Sequence, residues 1–95
     1  MLSLISAADV QQALRDRIQS QRQSLKLSRA ALAERSTVPA PTIKRFETTG
    51  EISLRQFILL WQSVDDLTRL HRLSKPENSA SDAMPTSIEE VLNGY

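Results

Sequence analysis

The sequence predicts an all-α fold, with five short helices packed into one domain over residues 6–73 and a flexible acidic C-terminal tail over residues 74–95. Three observations predict it. Apolar residues recur three and four positions apart in successive segments, which is the repeat of a helix with one buried face. Ser6, Ser28 and Ser53 each stand just before such a segment, where a side-chain oxygen can hold a free helix N–H. Pro39 and Gly50 bracket the third segment, as a helix start and a helix stop.

Ser6-Ala7-Ala8-Asp9 has the form of a capping box, with Ser6 as N-cap and Asp9 reaching back. Val10, Leu14 and Ile18 follow at spacings of four, with Ala13 beside them. The resulting helix runs to about Gln23, with Gln12, Asp16, Gln19 and Gln23 on its opposite face. Residues 24–28 form a connector. Ser28 caps a second helix over 29–35 with Leu32 and Ala33 inward, and Ser36 and Thr37 interrupt it. The third helix begins at Pro39, places Ile43 and Phe46 on one face and ends near Gly50.

Ser53 and Gln56 repeat the capping-box pattern ahead of a fourth helix over 54–64. At about 100° per residue, Leu54, Phe57, Ile58, Trp61 and Val64 share a face. Leu60 lies on the flank of that face, and Leu59 points nearly the other way. Asp65 and Asp66 suit the start of a last helix, whose apolar positions are Leu67, Leu70 and Leu73. From Ser74 the composition turns to that of a flexible linker. Residues 86–92 then form a short amphipathic stretch that is too short to hold as a helix alone.

Composition narrows the function. The chain has 95 residues and no Cys, which removes disulfides, thiol nucleophiles and thiolate metal sites. Its longest apolar run, 57–61, cannot span a membrane, and no basic-then-apolar leader pattern is seen, so a cytoplasmic location is expected. His71 is the only histidine and has no acid at ligand spacing, so no metal is expected. Nucleophile and base candidates do not cluster, and Gly50 and Gly94 are the only glycines, so no phosphate loop exists. Glu89-Glu90 reads as a solvated pair. Neither an enzyme nor a cofactor is expected. Residues 1–75 hold twelve bases against seven acids, a net of +5, and residues 76–95 hold four acids and no base, a net of −4. A basic head of this kind points to an anionic partner.

Residues 10–70 resemble the Cro/repressor-like (XRE) helix-turn-helix family. The resemblance is carried by Leu27-Ser28-Arg29-Ala30-Ala31-Leu32-Ala33-Glu34-Arg35, by Val38 and by Thr42-Ile43-Lys44-Arg45-Phe46-Glu47-Thr48-Thr49-Gly50, with Ile52-Ser53-Leu54-Arg55-Gln56-Phe57 following. It implies a lambda-repressor-like domain whose third helix enters a DNA major groove. Five positions depart from the family, the first being Arg29, where Gln is common. Gly or another permissive residue usually stands at Thr37, and polar residues usually stand at Pro39, Ala40 and Pro41.

The resemblance makes Ser28, Arg29, Pro39, Ala40, Thr42, Lys44 and Arg45 the candidate DNA-binding residues. Arg45 and Lys44 can grip guanine or phosphate, while Pro39 and Ala40 can only touch thymine methyl groups. Ser28 and Arg29 suit phosphate contacts, or simply cap and solvate the second helix. Arg15, Arg22 and Lys26 suit backbone contacts or ordinary surface charge. Trp61 reads as core. Leu59, Leu67, Leu70, Ile88 and Val91 form a candidate dimer or partner surface.

The implied function is a homodimeric repressor on a double-stranded operator, with no membrane role. The small size and the Ser-Ile-Glu-Glu-Val-Leu tail are similar to HipB-like antitoxins, which repress their own operon and bind a HipA-like kinase toxin. A phage-type Cro/repressor regulator, or an interaction module that no longer binds DNA, are the alternatives.

Overall fold

The computed structural model describes residues 4–76. They form α1 (Ala7–Ser24), α2 (Arg29–Ser36), α3 (Ala40–Thr49), α4 (Leu54–Val64) and α5 (Leu67–Arg72), with no strand among them. The expected tail, with Ile88 and Val91, lies outside the described residues.

The local start signals act as their chemistry requires. The Asp9 N–H donates to Ser6 Oγ at 3.1 Å and the Ser6 N–H donates to Asp9 Oδ2 at 3.0 Å, which completes the capping box of α1. Ser28 Oγ accepts from the Ala31 N–H at 3.0 Å, and Asp66 Oδ1 accepts from the Thr68 N–H at 2.9 Å. The second capping box is only half formed. Ser53 Oγ accepts from the Gln56 N–H, but Gln56 Oε1 takes the Ser53 hydroxyl rather than the backbone N–H. Pro39 is the N-cap of α3, so the helix proper starts one residue later, at Ala40, and the cap offers no side-chain acceptor.

One core joins the helices. α1 and α2 each pack on both α3 and α4, and α5 packs on α4. Ile18, Leu32, Val38, Ile43, Phe46, Phe57, Leu60, Trp61 and Val64 are buried. Phe46 meets Phe57 edge-on, with ring centroids 5.8 Å apart, a favoured arrangement for two aromatic quadrupoles.

The buried faces differ from expectation at three places. Residues 7–13 of α1 are all exposed, Val10 and Ala13 included. In α4, Leu60 is fully buried, whereas Leu54 is 74% exposed and Ile58 is also exposed. α1 and α2 cover the Leu60 side of α4, and the six-residue α5 is too short to cover the Leu54 end. Leu73 lies past the end of α5 and is exposed.

Side chains of α1 also close other helices. Helix C-termini leave carbonyls without partners. Gln11 Nε2 donates to Gly50 O at 3.3 Å, Arg15 Nη1 to Thr48 O at 2.5 Å and Gln21 Nε2 to Val64 O at 3.1 Å. Arg17 ties α1 to the α4–α5 corner, donating to Asp65 Oδ2 at 2.7 Å and lying 6.0 Å over the Trp61 ring. Trp61 Nε1 donates to Asp66 O.

Asp65 is held below its ordinary value of 3.8, first by the Arg17 hydrogen bond and then by the Asp66 N–H. Asp66 is lowered as well, chiefly by the Thr68 N–H. A carboxylate with a depressed folded-state pKa contributes stability above its unfolded value and loses it as pH falls through the folded one. Melting temperature is therefore expected to drop below about pH 4, and Asp65→Asn to flatten part of that drop in melts from about pH 5 to about pH 2. An unchanged acid limb in Asp65→Asn would show that the Arg17 pair contributes nothing to it.

The turn between α2 and α3 keeps its strain. Thr37 sits at φ 66°, ψ 9°, in the left-handed region, and its N–H donates to Ala33 O at 2.8 Å. A side chain there costs roughly 1–2 kcal/mol, and threonine is β-branched. Thr37→Gly is expected to raise stability by about 1 kcal/mol in urea denaturation. A lower midpoint would mean that the threonine side chain holds the turn by its contacts.

Candidate nucleic-acid interface

The orientation of α3 is fixed from its inner face. Ile43, Phe46 and Glu47 are its buried residues. The Glu47 side chain is only 1% exposed, and two arginines from other helices meet it. Arg22 of α1 donates from Nε to Glu47 Oε2 at 2.8 Å and from Nη2 to Oε1 at 3.1 Å. Arg29 of α2 donates from Nε to Oε1 at 2.8 Å. Arg22 also donates to Leu27 O at 2.9 Å, which secures the connector between α1 and α2. One carboxylate thus joins three helices through charge-assisted bonds, two of them a bidentate fork.

The outer face of α3 follows from the 100° step of a helix. Pro41, Lys44, Arg45, Thr48 and Thr49 are exposed, and Ala40 and Thr42 are half-buried. The Thr48 and Thr49 hydroxyls both donate to the carbonyl four residues back, so they present methyl groups outward more than free donors. Lys44 has no ion-pair partner among the described residues. Arg45 does have one, because its Nη2 donates to Glu51 Oε1 at 2.6 Å. Both of those side chains are well exposed, at 68% and 60%, so the pair is solvent-screened and easily exchanged.

The structure brings some candidates together and separates others. Thr42 and Arg45 line one shallow hollow with Glu51, Ile52, Ser53 and Gln56, where the start of α4 meets α3. Lys44 lies on the same helix face as Arg45. Ser28 is exposed and caps α2. Arg29 is held beside α3 by Glu47, with its side chain 39% exposed. Pro39 is exposed at the start of α3.

The apolar candidates split. Leu59, Leu67 and Leu70 all pack partly against the core, but Leu67 and Leu70 line a groove with α4, whereas Leu59 lines a separate hollow with Arg35, Thr37 and Gln62. Leu59 and the Leu54–Ile58 edge lie on opposite sides of α4, so Leu59 does not share a face with Leu67 and Leu70.

Of the three cations considered for backbone contacts, Arg22 is spoken for, since it is buried against Glu47. Arg15 is occupied with Thr48 O, and Lys26 is exposed in the connector at φ 59°. Glu47 and Glu51 were not among the expected site residues. Glu47 had a signal: it stands four positions after Ile43 on the apolar row of α3, and Arg22 stands four after Ile18 on the apolar row of α1.

No family model matches the sequence, and neither a curated protein nor a solved structure matches it.

Removing one partner of a buried ion pair leaves the other charged and unpaired. Glu47→Ala is expected to lower stability by about 3 kcal/mol. Arg29→Ala, at the half-open corner of the triad, is expected to cost under about 1 kcal/mol. Equal losses in chemical denaturation would show that Arg22 alone does not hold Glu47.

Proposed function

We propose that the chain is a sequence-specific, double-stranded-DNA-binding repressor built as a lambda-repressor-like helix-turn-helix domain, in which α3 is the recognition helix. One observation carries the reading. α3 is clamped from inside by the buried Glu47 pair and presents Lys44 and Arg45 outward, so the cationic face is held in place without being used up. A preorganised cationic helix face is what major-groove docking needs.

In this reading Arg45 leaves Glu51 to grip a guanine edge, and Lys44 meets a phosphate or a base. Pro39, Ala40 and Pro41 contribute apolar contact with thymine methyl groups. Glu47 uses only Nε of Arg29, which leaves the rest of that guanidinium for phosphate beside Ser28 at the start of α2. A homodimer would set two such helices in half-sites about 34 Å apart.

The more specific assignment is to an antitoxin of the HipB-like group, cytoplasmic, repressing its own operon and binding a HipA-like kinase toxin. It rests on the Ser87-Ile88-Glu89-Glu90-Val91-Leu92 sequence, which lies outside the described residues. No described helix is long and apolar enough to cross a membrane. The second reading, an interaction module without DNA binding, draws on Pro39 and Pro41, which place no side-chain hydrogen-bond donor at the leading end of α3.

The test is a gel-shift titration against the DNA upstream of the chain's own gene, at two salt concentrations, with scrambled competitor. Selective binding that weakens steeply with salt is expected. Arg45→Ala should lose about 1–3 kcal/mol of specific affinity, and Lys44→Ala should weaken all sequences together. Unselective binding by folded protein would favour the interaction module.

A further inference from the structure

A groove of about 610 Å³ lies open between α4 and α5. Leu54, Phe57 and Ile58 of α4 and Leu67 and Leu70 of α5 line it. Leu54 is 74% exposed and Ile58 36%, so the groove presents apolar surface to water. Its volume falls within the roughly 300–1,000 Å³ of sites that enclose a small ligand or a few side chains. A stable contact between two folded surfaces needs a broader patch, about 800 Å² on each partner.

The chain itself leads out of this groove. Ser74 lines it, and residues 77–95 begin three positions beyond it in sequence. Those residues carry Glu77, Asp82, Glu89 and Glu90 and no base. The end of α5 from which they depart is basic, with Arg69, Arg72 and Lys75 exposed, while Asp65 and Asp66 sit at its far end. Ile88, Val91 and Leu92 stand three and four positions apart, the spacing of one helical face, and Glu89 and Glu90 fall off that face. The intervening residues 77–87 can extend to roughly 36 Å, several times the length of α5 at about 1.5 Å per residue. A tether of this kind raises the local concentration of the segment to the millimolar range, which compensates for its small apolar contact.

We propose that residues 88–92 of the same chain dock in the α4–α5 groove. Ile88, Val91 and Leu92 cover Leu54, Ile58, Leu67 and Leu70, and the two glutamates face the basic end of α5.

The absence of cysteine allows a direct test in the full chain. Asn93→Cys would carry a nitroxide spin label, and methyl NMR would follow the leucine and isoleucine side chains. Selective loss of methyl intensity at Leu54, Ile58, Leu67 and Leu70 is expected. Adding Ile88→Asp and Val91→Asp should restore that intensity without altering the melting transition. In an equal mixture of spin-labelled, NMR-silent chains with label-free, isotope-labelled chains, no loss is expected. Loss in that mixture would mean that the groove takes the tail of a second copy, and would overturn docking within one chain. Uniform weak broadening, or broadening centred on α3 beside Lys44 and Arg45, would overturn it too.

Discussion

The Glu47 carboxylate is the constraint on which the remainder of the molecule depends. It is buried on the inner face of α3, where an isolated charge would cost several kcal/mol. Only the paired arrangement satisfies it, and the partners come from α1 and α2. The three helices must therefore meet at one point with one geometry. An apolar contact at the same place would tolerate sliding, because hydrophobic attraction has no direction. The bidentate fork from Arg22 does not, because its two nitrogens and two oxygens lie in matched planes. The outward direction of Lys44 and Arg45 is a consequence of what holds Glu47 inward.

The caps were legible because they depend on neighbours in sequence. Ser6, Ser28, Ser53, Pro39 and Gly50 mark the helix boundaries to within a residue or so. Gly50 takes φ 82°, a conformation that a side chain resists. The core was legible where a helix is covered symmetrically, as at Ile43 and Phe46. It was less so in α4, where Leu60 rather than Leu54 is buried, because the covering helices lie to one side and no periodicity records where neighbours will sit. The role of Arg15 was hidden for the same reason, whereas Arg22 was marked by its place on the apolar row of α1. An arginine off that row reads the same whether it faces water or a carbonyl 33 residues away.

The candidate site shows a related split. Ile43 and Phe46 on the inside of α3 required at least one of Lys44 and Arg45 to face outward, and both are exposed. The partner of Arg45 could not be inferred, since Glu51 returns to it only through the left-handed stop at Gly50. That pairing sets a threshold for anionic ligands, which must compete with a carboxylate already in place. Because both side chains are largely exposed, the threshold is low.

The reach of α1 across the molecule bears on how the chain acquires its shape. Gln11, Arg15 and Gln21 close carbonyls 39, 33 and 43 residues away in sequence. The ends of α3 and α4 are therefore finished by a segment distant from them in sequence. α2 and α3, separated by a three-residue turn, can find each other early at little loop-closure cost. Docking of α1 brings the long-range entropy loss together with three hydrogen bonds, the Arg22 fork and the Arg17 pair. The first helix is accordingly where the long-range closure of this domain is concentrated.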